Sequence, residues 1–151
     1  MNRLVATVIA GLVAVPALAE ADLEAGEKAF DRKCAICHQV INDEGEQLAG
    51  KRAQTGPNLY NVFNRPMGSV EGFRYSGLIQ AANSQGIVLD QETLIAYVSD
   101  PTGWLEEVTG EDGRGNMNAV RLRDGEGENI YAFLASLAPA PEAEEATEET
   151  N

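Results

Sequence analysis

Residues 34–38 read "CAICH", and neither cysteine nor histidine occurs anywhere else in the 151 residues. Two thiols three positions apart, with an imidazole directly after the second, have the spacing that attaches a c-type haem: each sulfur adds to a vinyl group and the histidine binds the iron. Cys34, Cys37 and His38 are thus the first candidate site residues, and one covalent haem c is the cofactor they imply. A structural disulfide is a poor alternative, because closing a ring over two intervening residues removes little chain entropy. A redox dithiol of the thioredoxin kind belongs in a βαβ pattern, and no such alternation is present.

The N-terminus bears on the compartment. "MNRLVATVIAGLVAVPALA" carries one base at Arg3, an apolar run from Leu4 to Val15 and the small-x-small triplet ending at Ala19. This is the composition of a secretory signal peptide over residues 1–19, and it implies export to the periplasm. The run is too short to span a bilayer comfortably, and nothing later is apolar for long enough. Residues 20–137 then form one domain. Residues 138–151, "APAPEAEEATEETN", hold five Glu, no base and no large apolar side chain, so an acidic disordered tail is expected there. The whole chain carries −13; without Arg3 and the five tail glutamates the domain still carries −9, which argues against nucleic acid and anionic lipid as partners.

Leu23, Gly26, Phe30 and Cys34 fall on one helical stripe, with Asp22 as N-cap, so a first helix should end where the haem motif begins. A polar loop is expected over Asn42–Thr55, then a short helical turn opened by Pro57, then loop through "NRPMGSVEGFRYSG". Ser76–Asn83 reads as a short helix stopped by Gly86, and "DQETLIAYVSDP" as a helix capped by Asp90 and ended by Asp100–Pro101. "TGWLEEVTG" is expected to be helical up to Gly110, and Glu111–Arg123 to be a Gly-rich loop. In "GENIYAFLASL", Ile130, Phe133, Leu134 and Leu137 share one face, and Pro139 stops the helix. No strict alternation marks a sheet. The expected fold is all-α, with short helices and long loops wrapped around a macrocycle that supplies much of the core.

One histidine fills one of two axial positions on the iron. Beyond the leader the methionines are Met67 and Met117; Lys28, Lys33, Lys51 and the tyrosines are other conceivable donors. A thioether is neutral and soft and favours ferrous iron, which suits an electron carrier. Met67 lies 29 residues past His38, in a loop still tied to that side, whereas Met117 lies in the long loop before the last helix and can cross to the opposite face. Topology favours Met117 and leaves Met67 as an apolar cap or a surface residue. On the near side, the Pro57 carbonyl can accept a hydrogen bond from the His38 ring and orient it. With the only His used as a ligand and no nucleophile pair left, the chain reads as a carrier and not an enzyme. The alternatives are a gas-binding haem protein with a labile sixth site, or an electron-transfer subunit dedicated to one periplasmic dehydrogenase.

In their order, "CAICH", "TGPNLYNVFNRPMGS", "GFRYSG", "GIVLDQETLIAYVSDP", a late Met and a closing "IYAFLASL" resemble class I cytochromes c, and in particular the larger bacterial periplasmic c-two type. The resemblance covers nearly all of Leu23–Leu137. It implies that Gly26 and Phe30 pack against Ile130 and Phe133, that Arg65 and Tyr75 bind a haem propionate, that Tyr97 lies near the axial sulfur, and that Met117 is the axial ligand. It also implies a monomer exchanging electrons with membrane complexes: a cytochrome bc complex as donor, a terminal oxidase or photosynthetic reaction centre as acceptor. Three departures stand out. Leu89 occupies a place where the family usually has a propionate-binding Trp, Trp104 one where it often has another aromatic, and Ala119 one where an aromatic usually covers the haem edge. Lysines that ring the haem edge in the family are also scarce here; Arg32, Lys33, Lys51, Arg52, Arg114, Arg121 and Arg123 are the bases placed to flank it.

Overall fold

A computed structural model describes residues 21–139, so the expected signal peptide and nearly all of the acidic tail lie outside the described residues. The first helix, α1, spans Leu23–Lys33. Asp22 caps it, its carboxylate accepting the Ala25 N–H at 3.0 Å, and Glu24 at one end and Arg32 and Lys33 at the other complement the helix dipole. The last helix, α5, spans Glu126–Ser136 and crosses α1 at Gly26. A Cβ on Gly26 would run into the Asn129 carbonyl and come within 2.8 Å of the Phe133 Cβ, so only glycine permits this approach. One turn along, the Phe30 and Phe133 rings meet with centroids 5.7 Å apart. Together with Ala29, Ala35, Val40, Ile130 and Leu134 they make a first buried cluster.

The segment after the haem motif corrects the expectation of a sheet-free chain. Strands β1 (Gln39–Ile41) and β2 (Gln47–Gly50) pair antiparallel, with a bulge after Val40; β1 directly precedes the expected polar loop and β2 lies inside it. Three or four residues are too few for alternation to register. What makes the hairpin is local: Asn42 Oδ1 accepts the Glu46 N–H at 2.8 Å, Gly45 supplies a left-handed turn residue at φ +82°, and Val40 plugs fully into the first cluster. Pro57 opens no helical turn either. The short 3₁₀ helix lies further on, at Val62–Asn64, entered through Asn61 in the left-handed region.

The remaining helices are α2 (Gly77–Ser84), α3 (Gln91–Ser99) and α4 (Pro101–Thr109). Asp90 and Thr93 form a reciprocal capping box at the start of α3, each side chain taking the other's N–H at 2.8 Å. Asp100 ends α3 and caps α4, accepting the Gly103 N–H at 3.1 Å, with Pro101 in the first helical position. These helices enclose a second buried cluster of Met67, Leu78, Ile79, Ala82, Leu89, Leu94 and Leu105. Phe63 packs against both clusters and stacks on Tyr131 at 4.3 Å. The architecture is otherwise as expected: five helices and long loops, none of the described helices being long and apolar enough to cross a membrane.

Candidate functional site

The attachment segment is a turn wound on a single carbonyl. Cys34 is the C-cap of α1, donating its N–H to Phe30 O at 2.8 Å, and its own carbonyl accepts the N–H groups of Cys37 at 3.0 Å and His38 at 2.9 Å. Both thiols and the imidazole are thereby drawn onto one turn at the border of the first cluster. No disulfide joins the two cysteines to each other. Burial, with Cys37 adding to it and Lys33 opposing, pushes the Cys34 thiol up to about 11.

His38 Nδ1 lies 2.9 Å from Pro57 O. A carbonyl only accepts, so Nδ1 carries the proton and Nε2 keeps its lone pair for a metal. Burial holds the His38 pKa below its usual value, the Pro57 bond partly opposing it, so the ring is neutral as a ligand must be. Gly56 completes the cradle: a Cβ there would collide with the imidazole, 2.6 Å from Nδ1 and 2.8 Å from Nε2, while its N–H donates to Cys37 O at 2.7 Å. Sequence reasoning missed Gly56 although it directly precedes Pro57. Asn58 holds the other flank, bridging to the backbone of Ile41 in both directions at 2.9 and 2.7 Å.

Arg65 and Tyr75 stand together. Arg65 donates to Tyr60 O at 3.2 Å, Ser69 Oγ at 2.9 Å and Asn58 O at 2.7 Å, and among the described residues it has no carboxylate partner. Burial lowers its pKa, with Tyr75 offsetting; Tyr75 in turn accepts the Val70 N–H at 3.2 Å, and burial raises its phenol. A half-buried cation bonded only to neutral oxygens is suited to an anion such as a carboxylate. Tyr97 packs edge-on against Trp104 at 5.6 Å, and burial pushes its phenol up to about 12, with Tyr75 adding to the shift. Leu89 is buried in the second cluster, and Ala119 is exposed.

The two methionines have different settings. Met67 is buried among Leu78, Ile79 and Leu89, its carbonyl accepting from Asn83 at 2.7 Å, so it is a core residue and not a surface one. Met117 is half-buried in the Glu111–Arg123 loop. Of the bases expected to flank the site, Arg32 and Lys33 both pair with Glu126 at 3.3 Å and so are not free charges.

These residues fit a covalent haem. No disulfide joins the two cysteines, the imidazole offers a free Nε2 over a glycine, Arg65 bonded to Asn58 O has no carboxylate partner among the described residues, and Phe63 packs against both apolar clusters. The family model described as cytochrome c matches residues 23–138. The chain is 49% identical to a cytochrome c2 of Rhodovulum adriaticum over 77% of this chain and 92% of that one. It is 42% identical to a cytochrome c-551 of Roseobacter denitrificans over 91% and 97%. Among solved structures, a cytochrome c2 from Rhodobacter sphaeroides superposes with a TM-score of 0.75 at 39% identity, covering 81% of this chain and all of that one.

Proposed function

The chain belongs to the cytochrome c family, and from that membership we propose that it is a periplasmic one-electron carrier whose haem iron is held between His38 and Met117. Its cofactor is one haem c, bound covalently through Cys34 and Cys37. When bound, the haem supplies a single iron that alternates between ferric and ferrous states. The chain's own residues would do the rest. Pro57 and Gly56 fix the plane and tautomer of His38; Arg65 and Tyr75 would neutralise and orient a propionate; Tyr97, whose phenol burial keeps protonated, would serve the axial sulfur as the family resemblance implies. With His38 and Met117 as its ligands, a bound iron would be given one imidazole nitrogen and one soft thioether, a donor set that would favour the reduced state.

The observation that supports the ligand assignment is the contrast between the methionines: Met67 is taken up in an apolar core, whereas Met117 is half-buried in the Glu111–Arg123 loop and belongs to neither buried cluster. The donor and acceptor we infer are membrane complexes, a cytochrome bc complex on one side and a terminal oxidase or photosynthetic reaction centre on the other, in keeping with relatives named cytochrome c2. Spectroscopy tests the reading. The ferric protein should show the weak near-red charge-transfer band of methionine ligation, lost in Met117→Leu and kept in Met67→Leu; loss in the second variant and not the first would reverse the assignment.

A further inference from the structure

The loop that carries Met117 has an unusual means of support. Among the described residues no backbone-to-backbone hydrogen bond involves residues 111–119: the ladder stops with Gly110 N–H to Glu106 O and resumes with Val120 N–H to Val98 O at 2.7 Å. In between, three N–H groups donate to side chains, and all three belong to α4. Glu111 N–H reaches Thr109 Oγ1 at 3.3 Å, Gly113 N–H reaches Glu106 Oε1 at 3.1 Å, and Gly115 N–H reaches Thr102 Oγ1 at 3.1 Å.

The two periods match. Residues 111, 113 and 115 alternate, so in an extended segment their N–H groups point to one side. Residues 102, 106 and 109 are spaced four and three, so they form one stripe of a helix. Seven helical residues rise about 10 Å and four extended residues about 13 Å, so the acceptors and donors can run antiparallel in step. Glycine is what lets the backbone come this close. A Cβ on Gly115 would stand 3.1 Å from Thr102 Oγ1, and one on Gly113 would stand 3.1 Å from Leu78 Cγ. Past Met117 the loop is pinned again, by Val98 and by Lys33, whose ammonium donates to Arg121 O at 2.7 Å.

We propose that Thr102, Glu106 and Thr109 form a polar rail on α4 that fixes the register of the loop and thereby sets how firmly Met117 holds its axial position against competing ligands. They are positioning residues, acting through the backbone two residues and more ahead of the sulfur. The proposal rests on Met117 as the ligand. It adds that a helix remote from the attachment turn controls the exchange of that ligand.

Imidazole titration of the ferric holoprotein, followed through the near-red band, tests it. Thr102→Val keeps the shape of the side chain but removes the acceptor, leaving the buried Gly115 N–H unpaired, and should bind imidazole about tenfold more tightly than wild type. Thr102→Ser and Glu106→Gln, which keep an acceptor oxygen, should stay near wild type; Glu106→Ala should shift in the direction of Thr102→Val, and supplies the reading if Thr102→Val does not fold. Unchanged imidazole affinity in both acceptor-deleting variants, even with a lowered melting temperature, would overturn the rail while leaving the ligand intact. A band that survives Met117→Leu in the same series would instead overturn the ligand assignment, and the rail with it.

Discussion

At the scale of single residues, the imidazole and its cradle show what a string of letters can and cannot convey. Cys34, Cys37, His38 and the Pro57 carbonyl follow from spacing and from the chemistry of the donors, and His38 Nδ1 does meet Pro57 O. Gly56 does not follow, because its necessity comes from an imidazole lying across it, a contact made by chain 18 positions away. Arg65 likewise shows its unmatched charge only once its three neutral acceptors are known. Tyr97 carries a prediction at this scale. Burial raises its pKa from the ordinary 10 to about 12, so the folded protein holds that proton more tightly than the unfolded chain does. The resulting stabilisation is fully present below about pH 10 and disappears as the pH rises towards 12, a loss on the order of 2 kcal/mol. Denaturation midpoints taken at pH 9 and pH 11.5 should therefore fall less in Tyr97→Phe than in wild type; equal falls would show that the phenol does not titrate in this way.

At the scale of elements, helices were legible and strands were not. Asp22, Ser76, Asp90 and Asp100 each cap the helix that follows, with the side chain accepting an N–H of the first turn, and such caps are written locally. The β1–β2 hairpin is stabilised by Val40 entering a core built from α1 and α5, so its cause lies outside the segment that forms it. The α1–α5 crossing combines both kinds of information: each helix is periodic by itself, but Gly26 is indispensable only because Asn129 and Phe133 press against it. Gly26→Ala should force the two helices apart and cost about 2–3 kcal/mol in denaturant unfolding of the holoprotein. A change below about 0.5 kcal/mol would mean that the crossing relaxes without penalty.

At the scale of the molecule, the core comes in two parts. The first joins α1, the hairpin and α5; the second joins α2, α3 and α4; Phe63 borders both. Neither part alone buries much surface for a chain of this size, so the haem should be needed to make them one cooperative unit. Expressed without covalent cofactor, the double variant Cys34→Ala, Cys37→Ala should lose most of its far-UV helical signal and melt without a sharp transition. A sharp, fully helical melt would show that the protein core suffices.

The meeting of α1 with α5 also imposes an order in time. The helix bearing the attachment turn is the first element of the domain to be synthesised, and the helix that buries it is the last. Until the C-terminal segment has been made, α1 lacks the Asn129 and Phe133 surface against which Gly26 and Phe30 pack. After closure Cys34 is half-buried against the first cluster. The attachment turn at the end of α1 is therefore enclosed by the same late crossing that completes the first cluster.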